Sequence, residues 1–255
     1  MNANALLDDS YKLGIWCGIP SSYSAELLCA AGFDWICIDG QHGMLDTHDV
    51  LTMLQAAAIT DTPAIVRVPA PDAAAAMMKA LDAGAAGILA PMVNNREQAL
   101  LVSRACRYAP MGTRSWGPVR GKQSGGAGRT PAGANQAVIC AAQIETPEAC
   151  ANLDEILGVP GIDLLLVGPS DLAVAMGLQP QFGPIPGPHA DTIADIAVRC
   201  RKAGVAPAIY AGSAAAAVDY ARLGYKILAV VSDTGILAQG ARQELDTVRT
   251  GLDGG

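Results

Sequence analysis

Two acidic residues follow short apolar segments that have the composition of buried strands. Glu145 comes after the sequence AAQI, and Asp171 comes after the sequence VGPS. Because each acid stands where a strand ends, both side chains can meet at one end of a barrel. No histidine or cysteine accompanies them, and two carboxylates with open positions suit a hard divalent cation (Mg²⁺, Mn²⁺ or Co²⁺) that is completed by water and substrate oxygens.

Two other interpretations of these carboxylates remain open. A general acid and base pair of the glycosidase type needs a sugar-binding cleft rich in aromatic side chains, and only 4% of this chain is aromatic. Each carboxylate could instead cap a helix, because Glu145 precedes the sequence TPE and Asp171 stands at a possible helix start. Capping is compatible with metal binding, so the metal site remains a prediction.

An arginine and a glycine-containing turn add positive potential near the two acids. Arg67 ends the apolar segment AIVR, where a buried guanidinium is costly unless it meets an anion. That anion is a ligand carboxylate or enolate, or else Asp39 in a structural ion pair. Gly168, Pro169 and Ser170 form a possible turn at the start of a helix. Such a turn can present backbone N–H groups to a bound carboxylate.

A metal ion, an arginine and an anion-binding turn together describe a site for a small 2-oxo acid. The metal would bind the carboxylate and the keto oxygen, and would polarise the carbonyl group as a Lewis acid. Removal of a proton from the adjacent carbon gives an enolate, whose negative oxygen Arg67 and the metal would stabilise.

His42 is the candidate acid or base. It lies in the sequence IDGQHG directly after a predicted strand, where the flanking glycines allow the backbone to approach a ligand closely. A structural role is an equally good interpretation of a single histidine. The other two histidines, His48 and His189, have no supporting sequence context.

Short apolar runs alternate with amphipathic segments and predict the elements that hold these residues. The eight predicted strands are 14–17, 35–39, 64–68, 87–91, 137–144, 163–167, 206–210 and 227–231. They are apolar on both faces, as parallel strands covered on both sides are. They predict an α/β fold, a (β/α)8 TIM barrel that forms a single domain over 1–255. A doubly wound open sheet is the alternative, which the absence of G-x-G-x-x-G after the first strand disfavours.

The segments between the strands predict helices and two long loops. The predicted helices are 24–31, 47–58, 72–83, 96–107, 147–157, 190–203 and 213–223, of which four end at Gly32, Gly84, Gly204 or Gly224. Gly- and Pro-rich segments cover 108–135, between the fourth and fifth strands, and 178–188, after the sixth. Loops that follow barrel strands face the catalytic mouth, so both are candidate lids, with surface insertions as the alternative.

Composition disfavours several kinds of partner. The formal net charge is −7, and no run of five Lys or Arg occurs, so no nucleic-acid partner is expected. The apolar runs are too short to cross a bilayer and residues 1–13 lack a signal-peptide pattern, so no membrane association is expected. Seven scattered cysteines without a C-x-x-C pair predict buried free thiols in a reducing cytoplasm.

The ordered motifs of the chain resemble those of one known family. They are WCGIPSSYSAELLCAAGFDWICIDGQHG, IVRVP, LDAGAAGILAPMV, QIETPEA and VGPSDLA, and the resemblance covers about 14–231. The chain thereby resembles the HpcH/HpaI aldolases, which are class II, metal-dependent pyruvate aldolases. The resemblance implies a lyase that reversibly cleaves a 4-hydroxy-2-oxo acid to pyruvate and an aldehyde.

The resemblance also implies roles for matching positions. They are the acid/base histidine (His42) and its acidic partner (Asp82), the transition-state stabiliser (Arg67), the metal ligands (Glu145 and Asp171) and the substrate contacts (Gln143 and Ser170). Where the family usually has Glu before its histidine, this chain has Gln41, which removes a charge near the base. Asp82 is predicted at a helix end on the opposite side of the barrel from His42, so it would reach the histidine of a neighbouring chain unless the barrel is distorted.

The sequence therefore predicts a cytoplasmic homo-oligomeric lyase. The resemblance implies a hexamer or trimer of dimers, with the C-terminal helix, 232–250, exchanged between subunits. During cleavage, His42 or a metal-bound water that it activates would remove the proton of the 4-hydroxyl group. A Schiff-base mechanism is disfavoured because Lys79 lies in a predicted helix and Lys122 in a long loop. The alternatives are an oxaloacetate decarboxylase or related enolate-forming lyase and an inert ligand-binding protein.

Overall fold

The computed structural model describes residues 3–120 and 130–253, and its centre is a closed barrel of eight parallel strands. Each strand is hydrogen-bonded to the next in chain order, and the last pairs with the first. The strands are β1 (Lys12–Cys17), β2 (Trp35–Asp39), β3 (Ala64–Arg67), β4 (Gly87–Ala90), β5 (Ile139–Ile144), β6 (Leu164–Val167), β7 (Ala206–Tyr210) and β8 (Ile227–Ser232). Each overlaps a predicted strand, so the predicted (β/α)8 barrel is confirmed.

Helices surround this barrel. In the described parts of the chain they are α1 (Ser22–Ala30), α2 (Thr47–Ala57), α3 (Ala74–Asp82), α4 (Arg96–Ala105), α5 (Pro131–Ala137), α6 (Pro147–Ala151), α7 (Leu153–Leu157), α8 (Pro169–Ala175), α9 (Pro188–Ala203), α10 (Ala214–Arg222) and α11 (Asp233–Asp253). Short 3₁₀ segments occur at Ala3–Leu7 and Ala58–Thr60.

Local sequence signals account for where many of these helices begin and end. Polar side chains accept hydrogen bonds from first-turn N–H groups at Ser21, Asp46, Asn95, Thr146 and Ser213. All four predicted cap glycines have positive φ, from +73° at Gly204 to +102° at Gly84, a conformation that a Cβ atom disfavours.

Two predicted boundaries are wrong. The predicted helix 147–157 is two helices, α6 and α7, which meet at Asn152, whose side-chain amide donates to the carbonyl of Asn94 at 2.9 Å. The predicted strand 137–144 begins only at Ile139 because Pro131–Ala137 form α5, which starts at the capping side chain of Thr130.

The barrel interior is filled by apolar side chains from alternate positions of the strands. Its buried cluster is Leu6, Trp16, Trp35, Cys37, Ile65, Leu89, Ile139, Ala141, Leu164, Leu166, Ala208, Ile227 and Ala229. A Cβ atom on Gly14 would overlap the ring of Trp35, so a glycine is required there for the largest interior side chain to fit. A larger apolar cluster lies between the strands and the helices.

The carboxyl ends of the strands carry polar side chains on the same interior face. Because side chains alternate along a strand, Asp39 shares the face of Cys37, and Arg67 shares the face of Ile65. Gln143 likewise follows the interior residue Ala141. Along the interior face, apolar side chains fill the barrel and polar side chains stand at the carboxyl ends of the strands. The polar residues that could react therefore lie at the mouth of the barrel, as in other barrels of this kind.

The prediction that segment 108–135 lies at the mouth is wrong. Helix α4 separates β4 from this segment, so the segment begins at the opposite end of the barrel. Its described part binds the end of α3, where the Arg114 guanidinium donates to Asp82 at 2.6 Å and the Arg120 backbone N–H donates to the Asp82 carbonyl at 3.1 Å. Residues 121–129 of this predicted lid, including Lys122, lie outside the described residues.

The second predicted lid does lie at the mouth end of the barrel. Its Phe182 ring packs so closely on Gly212, just after β7, that a Cβ atom there would overlap the ring. Helix α11 confirms the predicted C-terminal helix, and its later turns expose Leu237, Leu245 and Val248.

Two further sequence expectations concern cysteines and membrane spans. All seven cysteines are free thiols, and six of them are buried, as the sequence predicted. In the described part of the chain no helix has the length and apolar character that a membrane span needs.

Candidate active site

A cavity of about 450 Å³ opens at the mouth of the barrel, and most of the predicted site residues line it. Its volume suits a small metabolite. The lining residues are Trp16, Gly18, Asp39, His42, Gly43, Met44, Arg67, Gln143, Gly168, Pro169, Ser170, Asp171, Tyr210, Ser232, Asp233 and Thr234. The sequence-predicted Glu145 lies directly behind this lining, and Asp82 lies elsewhere.

Arg67 forms a buried ion pair with Asp39. Its Nε and Nη2 atoms donate to the two carboxylate oxygens at 2.9 and 2.7 Å, and the guanidinium lies 4.8 Å from the centre of the Trp16 ring. The ion pair that the sequence left open as an alternative is therefore present. It does not exclude a ligand, because Arg67 also lines the cavity.

Asp39 also holds the backbone that carries His42. Its Oδ1 atom accepts the backbone N–H groups of Gln41 and His42 at 3.1 and 3.2 Å, and its Oδ2 atom accepts the indole N–H of Trp16 at 3.1 Å. Burial opposes ionisation of Asp39, but the hydrogen bonds and charge of Arg67 outweigh it and lower the pKa of the carboxyl. Asp39 is thus an anion that joins the arginine to the histidine loop.

Glu145 is a buried carboxylate held by neutral donors. The backbone N–H of Met92 donates to Oε1 at 2.8 Å and the side-chain amide of Gln143 donates to Oε2 at 2.5 Å. Met92 has φ of +53°, a strained conformation for a residue other than glycine, which aims its N–H at Glu145. Burial raises the pKa of Glu145, and the nearby charge of Asp171 raises it further.

Gly168 brings the two predicted metal ligands together. A Cβ atom at this position would lie 2.6 Å from Oε2 of Glu145 and 3.0 Å from the amide nitrogen of Gln143. Helix α8 begins at the next residue and carries Ser170 and Asp171 into the cavity. Thr146, and not Glu145, caps α6, so the capping interpretation of Glu145 is wrong.

These residues fit a hard divalent cation. Glu145 and Asp171 are two oxygen donors whose charges repel each other, and the side-chain amide oxygen (Oε1) of Gln143 is buried without a partner among the described residues. Among the described residues, no group of three or more His, Cys, Asp or Glu side chains is arranged to hold a metal ion. A two-carboxylate site that leaves positions for water and ligand oxygens is typical of Mg²⁺.

His42 and Asp82 lie apart in this protomer. His42 is exposed at the mouth, whereas Asp82 ends α3 near the start of β4 and binds Arg114. The barrel is closed, with each strand bonded to the next in chain order, so no distortion of its topology brings the two together. Asp82 instead lines a second groove of about 760 Å³ between α2 and α3, which Gly40 and Arg67 also line.

Sequence reasoning missed Asp233, which connects the last helix to the first loop. Its buried carboxylate accepts the backbone N–H groups of Gly18 and Ile19 at 3.0 and 2.9 Å. Gly18 lies against Gly43, the residue after His42. The available signal was an acid two positions after the predicted strand 227–231, similar to the signal that drew attention to Glu145.

Two aromatic residues at the mouth were also missed. The rings of Trp16 and Tyr210 meet edge to face with centres 5.3 Å apart. Both stand near the carboxyl ends of strands, as Arg67 does, so their positions in the predicted strands were a usable signal.

Comparison with known proteins identifies the family. The family model for HpcH/HpaI aldolase/citrate lyase matches residues 12–239. A 4-hydroxy-2-oxo-heptane-1,7-dioate aldolase of Klebsiella pneumoniae is 42% identical over 235 residues, which cover 90% of this chain and 86% of that protein. The chain belongs to the HpcH/HpaI aldolase/citrate lyase family.

Similar solved structures extend this result to the fold. The crystal structure of an HpcH/HpaI aldolase/citrate lyase family protein from Burkholderia cenocepacia has a TM-score of 0.86 and 32% identity, and the match covers 98% of this chain and all of that one. Macrophomate synthase has a TM-score of 0.85 at 26% identity, with 99% and 90% covered. The HpcH/HpaI resemblance drawn from the motifs is therefore confirmed for sequence and for fold.

Proposed function

We propose that this HpcH/HpaI protein is a class II pyruvate aldolase, which cleaves a 4-hydroxy-2-oxo acid to pyruvate and an aldehyde and catalyses the reverse addition. The observation that carries the proposal is that Glu145 packs against Gly168 and is affected by the charge of Asp171, which lines the same cavity as Arg67. Since relatives are named for 4-hydroxy-2-oxo-heptane-1,7-dioate, that compound is the first substrate to test.

Glu145 and Asp171 would hold the divalent cation, which is Mg²⁺, Mn²⁺ or Co²⁺. When bound, the cation supplies a Lewis acid that polarises the keto group of the substrate. Gln143 and Ser170 would contact the substrate, and the turn from Gly168 through Pro169 would shape the wall beside its carboxylate. Burial of Glu145 keeps water away from one side of this site.

Arg67 and His42 would supply the remaining chemistry. Asp39 fixes the Arg67 guanidinium through two hydrogen bonds. The guanidinium is therefore already oriented before negative charge develops on the enolate oxygen. His42, on the loop that Asp39 also holds, would remove the proton of the 4-hydroxyl group while the carbon–carbon bond breaks. Its exposure leaves room for the aldehyde half of the substrate at the mouth.

Oxaloacetate decarboxylation is the second candidate activity. It forms the same enolate but needs no base for a hydroxyl group, so Arg67, Glu145 and Asp171 would suffice for it. The burial of Arg67 and Glu145, in contrast to the exposed His42, supports its occurrence as a side activity.

We further propose a cytoplasmic homo-oligomer, a hexamer or trimer of dimers, in which α11 is exchanged between subunits. The exposed apolar side chains of Leu237, Leu245, Val248 and Leu252 on α11 support such an exchange. Asp82 of one chain would then partner His42 of a neighbour, since the two lie at different ends of one protomer. Sedimentation velocity tests the assembly, and a fully active monomer would contradict it.

The aldolase proposal is tested by pyruvate release from 4-hydroxy-2-oxo-heptane-1,7-dioate, measured with added Mg²⁺, Mn²⁺ or Co²⁺ and after chelation. We expect metal-dependent release and metal-dependent exchange of the pyruvate methyl protons, followed by nuclear magnetic resonance. An inert binding protein gives no exchange. Borohydride with pyruvate should leave the protein unmodified, and covalent capture would overturn the metal-dependent mechanism. Faster loss of CO₂ from oxaloacetate than any aldol cleavage would favour the decarboxylase instead.

A further inference from the structure

His189 is a buried histidine outside the cavity, and both of its ring nitrogens bind the backbone. Its side chain is among the least exposed in the protein, at 1%. The Nδ1 atom accepts the backbone N–H of Ile185 at 3.2 Å, and the Nε2 atom lies 2.9 Å from the carbonyl oxygen of Pro169. The histidine thus connects two segments that are well separated in the sequence.

These contacts define which nitrogen carries the proton. A backbone N–H can only donate, so Nδ1 must offer its lone pair to Ile185. A carbonyl oxygen can only accept, so Nε2 must carry the hydrogen that Pro169 receives. Buried polar groups need such partners, so the neutral ring with its proton on Nε2 satisfies both segments at once.

The segment that His189 binds is the one that carries the predicted metal ligand Asp171. Pro169 is the first residue of α8, two positions before Asp171, and Gly168 before it packs against Glu145. The loop that contains Ile185 joins α8 to α9. The imidazole therefore connects the start of α8 to the loop before α9 and is not itself part of the cavity lining.

We propose that His189 is a positioning residue that sets the orientation of Asp171 by fixing the carbonyl of Pro169. The proposal rests on the proposed function, in which Glu145 and Asp171 hold a divalent cation. Groups that hold metal ligands in place through hydrogen bonds change metal affinity by about 10- to 100-fold when they are removed. His189 would act in this way through the backbone and would not touch the substrate.

Two substitutions separate the two hydrogen bonds of His189. In His189→Gln the side-chain amide nitrogen stands the same number of bonds from Cβ as Nε2 and can still donate to Pro169. In His189→Asn the amide oxygen stands in the place of Nδ1 and can accept from Ile185, but nothing reaches Pro169. A purely structural role would treat the two variants alike, whereas a positioning role predicts that the glutamine variant retains metal affinity.

The experiment is Mn²⁺ binding to the purified full chain, measured by the electron paramagnetic resonance signal of free Mn²⁺. We expect affinity at least about 10-fold weaker for His189→Asn and within about threefold of wild type for His189→Gln. His48→Gln, at an exposed histidine outside the cavity, is the matched control and should bind as wild type does. Thermal unfolding shows whether each variant is folded at the temperature of the measurement.

The outcomes distinguish the positioning role from the metal site itself. Loss of Mn²⁺ binding in Glu145→Gln with unchanged binding in both His189 variants would overturn the positioning role and leave the proposed function standing. Unchanged binding in Glu145→Gln and Asp171→Asn would overturn the proposed function instead. If His189→Asn does not fold, the positioning role is tested on the wild-type protein by nuclear magnetic resonance. Addition of Mg²⁺ should shift the Nε2 proton resonance of His189, and an unshifted resonance at saturating Mg²⁺ would contradict the proposal.

Discussion

Arg67 and Asp39 are paired in register on neighbouring strands, β3 and β2, and form two hydrogen bonds at the mouth of the barrel. The pair couples two parts of the site, because the same carboxylate also accepts the backbone N–H of His42. The arginine that would stabilise the enolate and the loop that carries the base therefore depend on one acidic side chain.

The first prediction concerns the charge of Asp39. Asp39→Asn should reduce the free energy of unfolding by about 3 kcal/mol, because it leaves the buried guanidinium of Arg67 without its counterion. Activity should fall as well, because Arg67 and the loop before His42 both lose their anchor. Denaturant unfolding measures the first effect and steady-state kinetics the second. Asp219→Asn, which removes the partner of the exposed Arg222, is the control and should cost at most about 1 kcal/mol.

The pH dependence of stability provides a second prediction from the same pair. The pKa of Asp39 is lowered in the folded protein because the stabilising contacts with Arg67 outweigh burial. The stabilisation that ionised Asp39 provides is therefore fully present above its pKa in the unfolded chain, about 3.9. It is lost as the pH falls through the lower pKa of the folded protein. The difference in unfolding free energy between wild type and Asp39→Asn should shrink below about pH 4. A difference that stays constant down to pH 2 would contradict the ion pair.

The third prediction concerns the space at Gly168. Gly168→Ala places a Cβ atom 2.6 Å from Oε2 of Glu145, so Glu145 or α8 must shift. Because Gly168 has negative φ, backbone strain does not contribute and the effect should come from this contact alone. We expect affinity for Mn²⁺ to fall by about 10-fold or more. Gly117→Ala is the control, since a Cβ atom there meets nothing within 4 Å; equal affinities of the two variants would contradict the close contact.

Much of the fold could be predicted from the sequence because the barrel is built from local, repeated signals. Apolar runs gave all eight strands, and glycine marked the helix ends at Gly32, Gly84, Gly204 and Gly224. Glu145 and Asp171 could also be predicted as neighbours, because the carboxyl ends of parallel strands meet at one end of a barrel.

Features that depend on distant contacts could not be predicted in this way. His189 binds the carbonyl of Pro169, which lies 20 positions earlier in the chain. The Pro-rich sequence around His189 does not indicate this contact. Segment 108–135 was misplaced because its composition resembles that of an active-site loop, whereas its side of the barrel is decided by the helix α4 that precedes it. Met92 likewise has a left-handed backbone conformation, in which its N–H donates to Glu145. Because the residue is not a glycine, the local sequence gives no indication of this conformation.

The fourth prediction concerns removal of the metal. Binding to the folded state stabilises a protein by about 2.7 kcal/mol at a ligand concentration 100 times Kd, so Mg²⁺ should raise the Tm of wild type by several degrees. Glu145→Gln should abolish that increase, while Glu148→Gln, at an exposed acid on α6, should preserve it. Differential scanning calorimetry with Mg²⁺ and with chelator measures both. A Tm increase in Glu145→Gln equal to that of wild type would remove Glu145 from the metal site.

The same variant should be more stable than wild type when no metal is present. Burial and the charge of Asp171 raise the pKa of Glu145, so the stability from its protonated form is present below the unfolded pKa and is lost as the pH rises through the folded one. At neutral pH the metal-free wild type therefore contains an unfavourable buried charge that Glu145→Gln lacks. A lower Tm for metal-free Glu145→Gln than for metal-free wild type at pH 7 would contradict this explanation.

The last prediction separates the base from the groups that stabilise the enolate. His42→Asn should reduce the rate of aldol cleavage by about 100-fold or more, the usual contribution of a general base. Oxaloacetate decarboxylation should remain close to wild type, because it forms the enolate without removing a hydroxyl proton and depends on Arg67 and the two carboxylates. Mn²⁺ affinity should also be unchanged, and His48→Asn should leave both reactions intact. If His42→Asn slows both reactions equally, the histidine does not act as the base on the hydroxyl group, and its role is to shape the site that both reactions share.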